Sequence, residues 1–308
     1  MNGKELGLLI LKILVLAVVL MMVNGIASNF LPATSEPGAE SEAAAPASPP
    51  SGSFMAIVIT VMFLQTIALA YPIVRSKWHG WKLTLGVFVL YFGTVTFMSQ
   101  LESLVYLGGK MPEGMLAGLF AMGALAAAVF APIAVLVLGK WNRPAADATP
   151  RLHYEPKSAG EWAWKIASGG LIFLALYYLF GYFIAWQIPA LRDYYGGTDP
   201  GSFIAQMRSV AQGTPWMIPF QYVRSLMMVG LAILVIRMMN AAWWEVGLAA
   251  AMLFAVPIVY LLLPNDMMPE AVRMGHLVET LPYQFLFGWI AAWLFCRLGA
   301  SNHSAQHV

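Results

Sequence analysis

Charge is what this chain most lacks. Only 10% of its 308 residues are Asp, Glu, Lys or Arg, where a soluble domain carries about 25%. With a mean hydropathy of +0.70, that excludes a water-soluble globule. A net charge of +2, with no basic patch interleaved with aromatics, excludes a nucleic-acid partner. The single cysteine, Cys296, excludes an intramolecular disulfide and any multi-cysteine metal site. Gly-rich phosphate loops, G-x-S-x-G and H-E-x-x-H are all missing, and with them the usual marks of nucleotide binding, serine hydrolysis and zinc proteolysis.

What is present is apolar length. A helix needs about 20 mostly apolar residues to cross the hydrocarbon core. Eight stretches qualify, at residues 6–30, 54–75, 82–107, 113–140, 162–188, 216–238, 241–263 and 270–297. The expected fold is an all-α integral membrane protein of about eight transmembrane helices. "NGIAS" near residue 25 resembles a signal cleavage site, but the apolar run before it is long for a signal peptide. Eleven Trp and twelve Tyr suit aromatic belts at the membrane interfaces.

Cationic residues set the orientation. Lys4, Arg75, Lys77, Lys82, Lys140, Arg143, Arg151, Lys157, Lys165, Arg237 and Arg297 fall on one side of an eight-span chain. The opposite segment "PATSEPGAESEAAAPASPPSGS" has three Glu and no Lys or Arg. Lys110, Arg192 and Arg208 dissent, so the rule is a majority vote, and it places both termini in the cytoplasm. Residues 32–52 lack the apolar content to fold and read as a flexible external loop. Residues 190–215 read as an outer interfacial connection with a short helix capped by Asp199 or Ser202, and a short cytoplasmic tail ends the chain.

The chain also repeats itself. "KMPEGMLAGLF" at 110–120 aligns with "MMPEAVRMGHL" at 267–277, and "IVRSKWHGW" at 73–81 with "VIRMMNAAW" at 235–243. "IASNFLP" at 26–32 resembles "IAWQIP" at 184–189. Their collinear order predicts two parallel four-helix repeats, residues 1–145 and 146–308. In the second copy His276 and Glu279 fall opposite Leu119 and Met122 of the first, so one copy has gained ionisable groups.

Those groups form a polar constellation. Glu270, Arg273, His276, Glu279 and Tyr283 recur every three or four residues and share one face of the last helix. A charged side chain at such depth costs at least a few kcal/mol and needs a partner. Glu102 and Gln100 on the third span, Arg224 on the sixth and Gln187 on the fifth reach a comparable level. The expected site is an outward-facing pocket of Glu102, Arg224, His276, Glu279, Arg273, Gln100 and Gln187 that binds a ligand or a proton. Opposed charges on Glu102, Glu279, Arg224 and Arg273 leave His276 to titrate near neutral pH. No cofactor is expected. Glu102, His276 and Glu279 would supply one nitrogen and two carboxylates to a divalent metal, opposed by the nearby Arg224.

"FGYFIAWQ", "YYGGTDPGSF" and "PEAVRMGHLVET" resemble segments of uncharacterised bacterial multi-pass inner-membrane proteins. The resemblance covers most of the chain and implies a bacterial inner membrane. It brings no activity, cofactor or catalytic residue. The leading function is binding or translocation of a small solute, lipid-like molecule or proton. The alternatives are a membrane-embedded enzyme, metal-dependent or not, acting on a lipid or isoprenoid, and a structural subunit of a larger complex. The bilayer is the one certain partner. A protein partner or a second copy of the chain stays open.

Overall fold

The computed structural model describes residues 2–31, 52–107, 109, 111–142, 155, 158–264 and 268–297. All but the last residue of the expected external loop 32–52, and the tail beyond Arg297, lie outside the described residues. So do Lys110, Arg143, Arg151 and Lys157. Among the described residues the chain is helical with no named strand, and an isolated β-bridge joins Ser76 to Met239.

Seven helices are long and apolar enough to cross a membrane. They are α1 (Gly3–Phe30), α2 (Gly52–Val74), α3 (Gly80–Leu107), α4 (Met115–Val137), α5 (Ala159–Gln187), α8 (Met217–Met238) and α9 (Trp243–Leu262). Between α5 and α8 lie two short helices, α6 (Pro189–Tyr195) and α7 (Phe203–Gly213). The last helix, α10 (Glu270–Cys296), runs 27 residues but carries Glu270, Arg273, His276, Glu279 and Gln284. That polarity keeps it below the apolar level of the other seven, although its length suffices.

Helix ends follow local chemistry. Asn2 and Glu5 close a capping box on α1, with both bonds at 2.9 Å. Ser158 caps α5, and Ser202 caps α7 by accepting from Ala205 N–H at 3.2 Å. These side chains satisfy donors that the first turn leaves without partners.

The two halves of the chain pack alike. In the first, α1 lies against α2 and α4, and α3 against α4. In the second, α5 lies against α8 and α10, and α9 against α10. The broadest contacts between the halves join α2 to α9 and α3 to α8. The α9–α10 pair is the closest, because Gly288 lets α10 rest on the backbone of Ala250 and Ala251. At one end of the bundle the Ser76–Met239 bridge joins the halves, with Lys77 N–H donating to Met238 O at 2.9 Å and Asn240 N–H to Arg75 O at 3.1 Å. Arg75 pairs with Glu245 at 2.7 Å beside it. Lys140 donates to Ser76 O at 3.0 Å, so basic residues of separate connections gather at this one end.

Two spans depart from α geometry, α3 in its middle and α9 over its last residues. Helix α3 widens to π geometry over Phe92–Phe97. Helix α9 tightens to a 3-10 helix over Val256–Leu262, where Pro257 has no N–H for the α ladder. Single π turns inside α-helices concentrate at functional sites, and both segments border the cavity described next.

Candidate functional site

The polar groups meet at the end of the bundle away from the basic connections. Glu102 sits in the last turns of α3 and Arg224 two turns into α8. Arg224 Nη1 lies 2.8 Å from Glu102 Oε1, and their side chains are 2% and 31% exposed. The same nitrogen donates to Gln221 Oε1 at 3.2 Å. The guanidinium carbon stands 5.8 Å from the Phe173 ring centre and 5.9 Å from that of Tyr177, within reach of their π faces. A guanidinium cannot shed its charge, so it is buried only with such partners.

A second knot forms on α10. His276 Nδ1 lies 3.0 Å from Glu279 Oε2, and His276 Nε2 lies 2.9 Å from the hydroxyl of Tyr195. With the carboxylate at Nδ1, a neutral ring carries its proton there and accepts from Tyr195 at Nε2. Tyr195 comes from α6. Gly275 lets α6 close on α10, because a Cβ at that position would meet the side chains of Leu191 and Ile188. The neighbouring glycine thus brings the 190–215 connection onto His276.

Tyrosines link the two knots. Tyr195 packs edge-on against Tyr106, ring centres 6.0 Å apart. The hydroxyls of Tyr106 and Tyr177 lie 2.7 Å apart, and Gln221 Nε2 approaches Tyr106 Oη at 3.5 Å. The knots are neighbours, with Glu279 and His276 as well as Arg224 within Coulombic range of Glu102.

Beside the ion pair lies a small cavity of about 30 Å³. Thr94, Ser99, Glu102, Arg224, Thr280 and Gln284 supply its polar lining, with Phe254 and Ile258 of α9 on the apolar side. Arg224 Nε and Gln284 Oε1 are buried there without a hydrogen-bond partner. Thr94 belongs to the π segment of α3 and Ile258 to the 3-10 segment of α9.

Four of the expected site residues, Glu102, Arg224, His276 and Glu279, thus come together. The other three are placed differently. Arg273 does not join the carboxylates. It reaches back to the carbonyls of Met268 at 3.2 Å and Leu261 at 2.8 Å, and so ties the end of α9 to the start of α10. Glu279 takes His276 as its partner instead. Gln187 donates to Tyr182 O at 2.8 Å and closes the end of its own helix. Gln100 has a buried Oε1 without a partner and, like His276 and Glu279, stands outside the cavity lining. No group of three or more His, Cys, Asp or Glu among the described residues is placed to hold a metal ion; Glu102 is engaged by Arg224 while His276 and Glu279 face each other.

Tyr106, Tyr177, Tyr195, Gln221 and Gln284 complete the site and escape sequence reasoning. Their one signal is spacing: Gln221 stands three residues before Arg224, and Gln284 follows Tyr283 on the polar face of α10. Comparison with known proteins finds no matching family model, no matching curated protein and no matching solved structure.

Proposed function

We propose that this chain binds or translocates a small polar solute or a proton through the pocket of Glu102, Arg224, His276 and Glu279. The observation that carries the reading is the pair of buried Arg224 and half-buried Glu102 beside a polar cavity. An ion pair inside a membrane protein is seldom the most stable filling of its space, because desolvation offsets much of the attraction. Intramembrane ionisable groups mark ion, proton or substrate sites by default. The small cavity favours a compact species over a lipid-like molecule in this conformation. The connection that carries Tyr195 serves as a lid over His276.

In this reading α10 is the eighth span, covered by α5 and α9. The two halves are parallel repeats, supported by their matching internal contacts and by the reciprocal α2–α9 and α3–α8 contacts. Basic residues gathered at the Ser76–Met239 end make that end cytoplasmic, and the resemblance noted above makes the membrane a bacterial inner membrane. The pocket then opens outward.

The test is thermal unfolding of detergent-purified wild type, His276→Ala and Glu279→Gln. Both variants should stay folded with midpoints close to wild type, because a group that serves a ligand or a proton is dispensable to the scaffold. If both variants lose much of their stability, the cluster only holds helices together.

A further inference from the structure

We propose that the species this pocket handles is the proton, taken up by Glu102 through water held in the cavity. The inference rests on the pocket reading above and adds the identity of the cargo.

Size comes first. The cavity of about 30 Å³ is roughly a fifth of the ~150 Å³ that admits benzene in an apolar core, and it has room for about two water molecules. The lining runs from Glu102 to Thr94, about 12 Å along α3 at 1.5 Å per residue. A short file of water fits this space where an organic solute does not.

The polar inventory is what buried water requires. Arg224 Nε offers a donor and Gln284 Oε1 an acceptor, on side chains that are 2% and 4% exposed, and neither atom has a protein partner. The Thr94 hydroxyl donates to Leu90 O at 2.8 Å, so its oxygen can still accept. Ser99, Thr280 and Glu102 complete the lining. A buried water typically makes two to four hydrogen bonds, and this wall can supply them.

The charge state then selects the proton. Glu102 and Arg224 cancel, so the cavity holds no net charge with which to retain a solute ion. One ionisation change is available to the pair, because a carboxylate can accept a proton and a guanidinium cannot release one. In the step a hydronium in the cavity transfers its proton to a Glu102 oxygen. Its O–H bond breaks, the carboxyl O–H forms and neutral water remains. Arg224 keeps its charge and its bond to Gln221. The groups that face Glu102 are Arg224 from α8, Glu279, His276 and Tyr283 from α10, Tyr177 from α5, Tyr195 from α6 and Tyr106 from its own helix.

The experiment uses the full chain in liposomes with a trapped pH dye and a potassium diffusion potential, negative inside, set by valinomycin. Wild type should acidify the lumen. Glu102→Gln should fall to the rate of protein-free liposomes, Gln284→Leu should slow the flux, and Glu102→Asp should keep part of it as a folded control. Absence of protein-dependent flux, or a flux unchanged in Glu102→Gln, overturns the proposal. If flux is absent while His276→Ala and Glu279→Gln remain nearly as stable as wild type, the pocket stands and the proton as its cargo falls. If flux is absent and both variants lose much of their stability, both fall.

Discussion

Removing one partner of the Glu102–Arg224 pair should have opposite pH consequences depending on which partner goes. At 2.8 Å and an effective dielectric constant of ~20, two unit charges attract by about 6 kcal/mol. Breaking a buried pair from one side typically costs about 3–5 kcal/mol. Glu102 is 31% exposed, which argues for the lower end. Arg224→Leu leaves a carboxylate that can shed its charge by taking up a proton, so its deficit should shrink as pH falls. Glu102→Gln leaves a guanidinium that stays charged at every accessible pH, so its deficit should be flat. The double variant should lose less than the two singles together, with a coupling of about 2–3 kcal/mol. Denaturant unfolding in mixed micelles between about pH 5 and 8 reads all four proteins. Parallel pH curves for the two singles, with additive losses in the double, would mean that the two groups do not act as a pair.

Other expectations concern the scaffold. Gly288→Ala would put a Cβ 2.5 Å from the carbonyl carbon of Ala250 and the amide nitrogen of Ala251, and backbone cannot step aside. It should lower stability by about 1–3 kcal/mol or more, whereas Gly230→Ala, with nothing within 4 Å, should be neutral or slightly stabilising; equal effects would refute the close α9–α10 contact. Tyr195→Phe should cost about 1 kcal/mol, read by thermal unfolding, and speed amide exchange in α6; unchanged stability and exchange would deny that segment its hydrogen bond to His276. Arg273→Met should destabilise the α9–α10 junction, read as faster amide exchange there, and leave the flux attributed to Glu102 intact. In a chain whose native Cys296 is 3% exposed, a membrane-impermeant maleimide applied to intact cells should label Asn29→Cys and spare Asn2→Cys. The reverse pattern would invert the orientation.

The spans were legible because crossing a bilayer imposes a length and a composition that few other folds need. The stretch 82–107 became Gly80–Leu107, and 241–263 became Trp243–Leu262. The distortions within them were hidden. Nothing in "FGTVTF" announces a π turn, since that geometry depends on what packs beside it. Pro257 was a visible warning in α9, although proline alone does not say which way a helix will adjust. The short helix at 203–213 was readable from Ser202 and the turn residues before it.

At the site, burial of charge was the legible principle and direction was the illegible one. A glutamate and an arginine at matching depths on different spans have few options except each other, and Glu102 and Arg224 do meet. Counting every third or fourth residue also put Arg273 on the face of His276 and Glu279. That spacing fixes where a Cα sits, but a long side chain on a helix leans toward the N-terminus. Near the start of α10, that direction leads to carbonyls left open by the end of α9, so Arg273 satisfies backbone and Glu279 turns to His276. The same asymmetry explains Gln187, whose nearest acceptor is an open carbonyl of its own helix end. Tyr195 was illegible for a different reason: it reaches the site from a connection rather than a span, and only Gly275 makes the approach possible. Loss of that glycine should therefore lift Tyr195 from His276 even though every charged residue of the pocket is still present.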